Sequence, residues 1–211
     1  MRFGDAPATH GIAALTVAVS AALILFFNLD AAAIIGGFVP ARLTYPDVPW
    51  AVGRSVPVLL TPLSATLIHG GWVHLIFNMV MLVFCGRETE RAIGSGGVVL
   101  LYLVGAYAAA AGQWAQGTAG TTPMIGASGA ISAIVAAYAL FYGRSRARAV
   151  GPISAGLVHT LWLAVAWIGL NLLIDYAMLG GTNIAIGAHI GGFLAGLVLA
   201  RPLLLWRYRH A

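Results

Sequence analysis

Apolar residues fill six stretches of the chain, each bounded by polar residues, glycine or proline. An α-helix rises about 1.5 Å per residue, so roughly 20 apolar residues cross the hydrocarbon core of a bilayer. The pattern predicts an all-α polytopic membrane protein of one domain, residues 1–211, with transmembrane helices at residues 11–29, 72–86, 98–113, 126–142, 157–179 and 184–205. The second and fourth stretches are short, and such helices can end inside the membrane where protein or water covers the end.

The composition agrees with this prediction. Hydrophobic residues make up 60% of the 211 and charged residues 8%, whereas soluble domains carry about 25% charged residues. The mean hydropathy is +0.91. So little charge cannot cover a globular surface, and it also excludes a disordered chain, a nucleic-acid-binding arm and a disulfide-rich secreted module. The one cysteine, Cys85, cannot form an internal disulfide.

The basic residues predict the orientation in the membrane. All eleven are arginine, and nine adjoin the start of the first span, the connections after the second and fourth spans, or the end of the sixth. Only Arg42 and Arg54 fall on the other side. Because an excess of arginine marks cytoplasmic segments, both termini are expected in the cytoplasm. The net charge of +5 therefore reflects topology and indicates no nucleic-acid partner.

A cleaved signal peptide is the alternative interpretation of the first span. Arg2 is the one basic residue before it, Asp5 lies nearby, and no clear cleavage site with small residues precedes Asp30. These features depart from a secretory signal, so a retained span is favoured.

The long connection between the first two spans, residues 31–68, contains five prolines and a mixture of aromatic and apolar residues. Connections of this length are usually functional or carry structure of their own. The composition predicts a segment that lies in the outer membrane interface rather than a solvated linker.

Three of the spans begin with polar side chains in a region that lipid should surround. His74 and Asn78 lie four residues apart, which places them on one face of a helix. Ser128 stands in the sequence GASG, and His189 stands among glycines in GAHIGG. Polar residues inside a membrane are costly and therefore indicate function by default.

Each of these residues alone also has a structural explanation as a helix–helix contact or a packed core residue. Together they point to chemistry, because the predicted topology turns the starts of spans two, four and six toward the outer face. Serine becomes a nucleophile when a base such as histidine accepts its proton. Ser128, His189 and two hydrogen-bond donors at one depth match the requirements of acyl transfer.

These residues stand in three motifs that resemble the rhomboid intramembrane serine proteases. The motifs are HGGWVHLIFN at residues 69–78, GASG at residues 126–129 and GAHIGG at residues 187–192, in this order on spans two, four and six. The segment GRETERAIGSG at residues 86–96 is similar to the connection that follows the second span in that family. The resemblance covers about residues 57–200.

The resemblance implies a six-helix bundle whose first outer loop is embedded in the membrane. Ser128 would be the nucleophile and His189 its general base, a dyad without the usual aspartate. His74 and Asn78 would form the oxyanion hole with the backbone N–H of Ser128.

Other residues would support this site structurally, and the resemblance implies that role for His69, Glu90, Gly126, Gly187 and Gly191. It implies no cofactor and no metal. The partners would be the lipid bilayer and single-pass transmembrane protein substrates, cut near the outer face of a bacterial inner membrane. Nothing in the sequence indicates the oligomeric state.

Two departures from the family pattern concern the surroundings of the site. Bacterial relatives often have Trp-Arg in the first loop, and the corresponding stretch here, PVLLTPLSAT at residues 57–66, has neither. An aromatic residue often follows the serine by one turn and stacks on the histidine, and here that position is Ser132. The orientation of His189 must therefore come from another contact.

Three other functional classes compete with a protease. A haem or metal protein could use His74, His159 and His189, although no HExxH motif is present. A transporter could use Asn171 and Asp175 of the fifth span as an ion path, although no inverted repeat is visible and Asp175 is interpreted mainly as structural. A catalytically inactive rhomboid relative that only binds membrane proteins is the main alternative.

Overall fold

The computed structural model describes residues 6–48, 55–143, 148–179 and 185–209. Regular structure in these ranges is helical apart from two isolated β-bridges, which confirms the predicted helical class. The helices are α1 (Pro7–Phe26), α2 (Leu29–Gly36), α3 (Pro40–Thr44), α4 (Thr61–Ser64), α5 (Trp72–Gln116), α6 (Ser128–Tyr142), α7 (Ala155–Leu179) and α8 (Ile186–Arg207), with 3₁₀ turns at Val58–Leu60 and Ala65–Leu67.

The longest helix, α5, contains two apolar segments. Its 45 residues would measure about 68 Å if the helix were straight, more than twice the thickness of a bilayer core. Gly94 interrupts the helix with φ 77° and ψ 166°, a conformation that residues with a side chain rarely adopt. The two segments are named α5a (residues 72–93) and α5b (residues 95–116).

Contacts of α5a fix the directions of its two neighbours. Thr9 at the start of α1 donates hydrogen bonds to Glu90 near the end of α5a, whereas Ser20 near the end of α1 bonds to His69 just before α5a begins. These two helices are therefore antiparallel. Near the end of α6, the hydroxyl of Tyr142 donates to the carbonyl of Glu88, so α6 runs parallel to α5a.

The remaining segments complete an alternating bundle. Gly112 of α5b lies against Gly187 at the start of α8, and Gly94 lies near Arg207 at its end, so these segments are antiparallel. His159 near the start of α7 lies beside Gly143 at the end of α6, and Trp167 farther along α7 bonds to Ser132 near the start of α6, so α7 is antiparallel to α6. The six apolar segments α1, α5a, α5b, α6, α7 and α8 therefore alternate in direction.

Small residues at the centre of the bundle let three segments approach until their backbones touch. A Cβ atom on Gly191 would collide with the backbone carbonyl of Ala108 in α5b, and one on Gly192 would collide with the carbonyl of Gly129 in α6. In lipid the hydrophobic effect does not drive helices together, so close van der Waals packing of this kind stabilises their association instead. The glycines thereby set the register of α5b, α6 and α8.

The outside of the bundle is apolar. Side chains of Phe26, Val165 and Val198 are 78%, 71% and 70% exposed. Water-soluble proteins rarely expose large contiguous apolar surfaces. Within the part of the chain that the structure describes, three helices have the length and composition to cross a membrane, namely Pro7–Phe26, Trp72–Gln116 and Ile186–Arg207. The chain is an integral membrane protein.

The predicted spans and the observed helices differ mainly in the connection after the second span. Residues 87–97 were expected to be a loop, and they are helical except at Gly94. A glycine alone can reverse the chain here because the turn needs one residue with positive φ. Four of the arginines on which the predicted orientation rests, Arg2, Arg54, Arg144 and Arg146, lie outside the described residues.

The described part of the connection between α1 and α5 contains short helices that are bonded to the rest of the bundle. Phe38 forms a β-bridge with Met124 in the segment before α6, and the indole of Trp114 donates to Thr44. Arg42 donates to the carbonyl of Val56 at 2.8 Å. These bonds hold the connection without the Trp-Arg pair that is absent from residues 57–66.

The glycine contacts predict that Gly191→Ala destabilises the protein. The added methyl group would collide with the backbone of α5b, so we expect the free energy of unfolding to fall by about 1–3 kcal/mol. Gly169→Ala is the matched control, because a Cβ atom at this position meets nothing within 4 Å. The substitution also replaces a helix-destabilising glycine in α7 with alanine. Thermal unfolding in detergent measures both. Equal melting temperatures for the two variants would contradict the proposed packing role.

Candidate active site

Ser128 and His189 meet at the starts of two parallel helices. Ser128 is the first residue of α6 and is half-buried, and His189 lies in the first turn of α8 and is 2% exposed. The distance from Ser128 Oγ to His189 Nε2 is 2.9 Å, which is hydrogen-bond distance. The close backbone contact between Gly129 and Gly192 directly below brings the two side chains to the same level.

The other ring nitrogen of His189 shows how the pair can act. Among the described residues, no hydrogen-bond partner reaches His189 Nδ1, which is buried. A neutral imidazole protonated at Nδ1 presents its Nε2 lone pair to Ser128. The arrangement can take a proton from the serine hydroxyl without a third residue, as a dyad does.

His74 lies beside the loop that precedes Ser128. The backbone N–H of Gly70 points at His74 Nδ1, at 3.4 Å, which leaves the proton of a neutral ring on Nε2. A Cβ atom on Gly126 would lie 2.8 Å from this Nε2. Gly126 also has a φ of 103°, so two independent constraints require glycine at this position. His74 can therefore present an N–H toward the GASG loop.

Asn78 lies one turn along the same helix face and is 2% exposed. Its side-chain amide donates one hydrogen bond to the backbone carbonyl of His74 at 2.9 Å. An amide nitrogen carries two hydrogens, so this bond orients the group and leaves the second hydrogen for another acceptor.

His69 joins three parts of the structure behind the site. The N–H of Ala127, next to Ser128, donates to His69 Nε2 at 3.4 Å. The ring must then carry its proton on Nδ1, which lies 2.9 Å from Ser20 Oγ, and Ser20 donates onward to the carbonyl of Leu67. Every polar atom of this buried relay is used, so His69 ties the GASG loop to α1.

Ser132 occupies the position where the resemblance leads one to expect an aromatic residue. Its hydroxyl donates to the carbonyl of Ser128 at 2.7 Å and accepts the indole N–H of Trp167 at 2.6 Å. Instead of stacking on His189, residue 132 thus connects the first turn of α6 to α7.

The remaining predicted support residues lie at two different levels. Gly187 donates its backbone N–H to the side chain of Gln116 at 2.6 Å, and Gly191 contacts α5b, so both position the start of α8. Glu90 lies at the opposite end of the bundle, near Gly94, and accepts hydrogen bonds from Ala8, Thr9 and Ser95. It fixes the start of α1 and does not touch the site.

Of the three histidines that the metal-protein alternative would use, His159 lies apart from the site. His159 lies beside Gly143, at the far end of α6 from Ser128, so His74, His159 and His189 do not form one ligand set. The described residues hold no cluster of three metal-ligating side chains. Asn171 and Asp175 are on α7, and their side chains lie outside the described residues.

Sequence reasoning missed Ser20, Gln116 and Trp167 as partners of the site. Ser20 and Trp167 lie in predicted spans and Gln116 lies just beyond one, and each is paired with a residue more than 30 positions away. The sequence does show polar groups in or next to apolar spans, and such groups need hydrogen-bond partners. Spacing along the sequence does not identify which distant residue the partner is.

A domain model of the rhomboid family matches residues 57–206. Curated relatives include Rhomboid protease GlpG of Photorhabdus laumondii, 28% identical over 68% of this chain and 46% of its own length. Rhomboid protease GluP of Bacillus subtilis is 32% identical over 69% of this chain and 25% of its own length. RHOMBOID-like protein 5 of Arabidopsis thaliana is 28% identical over 68% of this chain and 43% of its own length. The chain thus spans less than half the length of these relatives.

The hydrogen bonds of Glu90 predict that Glu90→Gln weakens the fold. A carboxylate accepts bonds at both oxygens, whereas glutamine would place an N–H₂ group against donors, and one set of buried donors would lose its partner. We expect a loss of about 1–3 kcal/mol in the free energy of unfolding. Glu88→Gln is the control, since its half-exposed pair with Arg91 contributes at most about 1 kcal/mol. Unfolding by titration with sodium dodecyl sulfate compares the two, and equal losses would refute the anchoring role of Glu90.

Proposed function

Because the chain belongs to the rhomboid family, we propose that it is an intramembrane serine endopeptidase that cleaves single-pass transmembrane proteins near the outer membrane face. The observation that carries this proposal is the 2.9 Å contact between Ser128 Oγ and His189 Nε2. The relatives named as rhomboid proteases support the same class of reaction.

The proposed topology has six crossings, with both termini in the cytoplasm of a bacterium and the outer face toward the exterior of its inner membrane. The alternating directions of the six apolar segments support it. So does the excess of arginine at the end of the bundle that holds the start of α1, the turn at Gly94 and the end of α8. In this orientation Ser128 lies below the outer face, under the short helices of the first connection.

In the proposed reaction, the Ser128 hydroxyl attacks the scissile carbonyl while His189 Nε2 accepts its proton. The imidazolium then returns the proton to the leaving amine, and an acyl-enzyme remains on Ser128. Water that enters from the outer side attacks this ester, with His189 again as the base. His189 Nε2 takes a proton from this water and returns it to Ser128 Oγ as the carboxylic acid product leaves, so the same imidazole serves both halves of the cycle.

The oxyanion of the tetrahedral intermediate would be bound by donors that already point toward the serine. His74 offers its Nε2–H beside the GASG loop, Asn78 offers the second hydrogen of its amide, and Ser128 offers its backbone N–H. Such donors stabilise the transition state strongly because they are oriented before the charge develops in a site of low dielectric.

Residue 132 affects this mechanism indirectly. Trp167 and Ser132 fix the carbonyl of Ser128 and with it the first turn of α6. The orientation of His189 then follows from its bond to Ser128 and its packing against α6, so an aromatic ring on residue 132 is not required for the proposed geometry.

We expect Ser128→Ala to abolish cleavage of a transmembrane substrate in proteoliposomes, because the attacking oxygen is lost while the fold keeps its contacts. Ser154→Ala is the control, since Ser154 is exposed and caps the start of α7, far from the site. A gel assay of the cleaved substrate measures both variants. Cleavage by Ser128→Ala at the parent rate would contradict the assignment of Ser128 as the nucleophile, whereas absence of cleavage by the parent protein would favour the inactive binding role.

Asn78→Ala tests the oxyanion assignment. Removing one donor of this kind lowers kcat by about 10²–10³, and KM should change little because the donor acts on the transition state. Asn28→Ala is the control, as Asn28 only caps α2 at the surface. Steady-state kinetics in detergent separates kcat from KM, and an unchanged kcat in Asn78→Ala would show that another group binds the oxyanion.

A further inference from the structure

A groove of about 880 Å³ runs along the outside of the bundle on the half that lies away from Ser128. Residues of α5a between Met79 and Arg91 line it, and Tyr138 of α6 forms its other wall. Phe84 of α5a and Tyr138 of α6 both line the groove, and their ring centroids are 5.7 Å apart. None of the residues that line it belongs to the proposed catalytic machinery.

The groove has an apolar part and a charged end. Val80 and Phe84 are 59% and 61% exposed, and they form the apolar part. Arg87 and Arg91 lie four residues apart on the same face of α5a, at the end of the groove. Glu88 is paired with Arg91, and the formal charges of the three charged residues that line this end, two arginines and one glutamate, sum to +1.

The dimensions of the groove match one leaflet of a bilayer. From Met79 to Arg91 the helix rises about 18 Å, and half of a hydrocarbon core is about 15 Å. The charged end lies near the turn at Gly94, where the bundle carries its excess of arginine. A molecule in the groove would therefore have a polar group at the membrane surface and an apolar part that reaches the midplane.

We propose that this groove binds one anionic phospholipid of the cytoplasmic leaflet. Its phosphate would lie against Arg87 and Arg91, and one acyl chain would follow Val83 and Phe84 toward Met79. The leaflet assignment rests on the topology of the proposed function, whereas the binding itself requires no catalysis.

The charge at the end of the groove argues against a transmembrane substrate as its occupant. A substrate segment that ends on the cytoplasmic side carries its own excess of lysine and arginine there, and these would meet Arg87 and Arg91. A zwitterionic lipid has the same apolar chains but a weaker attraction to two arginines than a lipid with net negative charge. The anionic phospholipid fits both ends.

Native mass spectrometry of the purified protein in detergent tests the headgroup. We expect phosphatidylglycerol to bind more tightly than phosphatidylcholine with the same acyl chains. Arg87→Gln should weaken the binding of phosphatidylglycerol about fivefold, and Glu88→Gln should strengthen it. Arg201→Gln removes the same charge from an exposed position on α8 and should leave the affinity unchanged. Equal affinity for the two lipids, or equal effects of the Arg87 and Arg201 variants, would overturn the proposal.

Val83→Trp tests the acyl chain, because the larger side chain fills the groove without a change in charge. We expect it to reduce the bound phosphatidylglycerol, while the circular dichroism spectrum shows the parent helix content. Unchanged binding in this variant would place the lipid elsewhere.

If a peptide of a single transmembrane segment displaced the lipid from the parent protein, the groove would be a substrate surface and the lipid assignment would be wrong. These measurements need no cleavage, so their failure is distinguishable from failure of the proposed protease activity.

Discussion

Backbone contact between α6 and α8 is the constraint on which the rest of this structure depends. Gly192 and Gly196 of α8 lie against the backbone of α6, where a Cβ atom on either glycine would collide with a carbonyl oxygen of that helix. Two helices in parallel contact then place their first turns side by side, and one side chain from each, Ser128 and His189, reaches hydrogen-bond distance. In lipid this proximity cannot come from a hydrophobic driving force, so it comes from shape.

The same medium requires that polar groups be satisfied within the protein. The relay from Ala127 through His69 and Ser20 to Leu67 uses each donor and acceptor in turn. Glu90 does the same at the other end of the bundle by accepting from the first turn of α1. These buried networks fix the positions of α1 and the GASG loop because no water inside the membrane offers an alternative partner.

Much of the fold could be predicted from the sequence, because the hydrocarbon core of a bilayer sets the length and the apolar composition of a helix that crosses it. The six apolar stretches and the group formed by Ser128, His189 and His74 followed from hydropathy, topology and spacing. The helical turn at residues 87–97 did not, since a single glycine replaces the expected loop. The partners Ser20 and Trp167 were also missed, because a hydrogen bond between distant helices leaves no local pattern in the sequence.

The central claim is that His189 activates Ser128 across the α6–α8 contact. The most direct test is the rate at which a fluorophosphonate forms a covalent adduct with the purified protein, with the labelled peptide mapped by mass spectrometry. The account predicts an adduct on Ser128 in the parent and almost none in His189→Ala. An adduct on a different residue, or the same labelling rate with and without the imidazole, would contradict it.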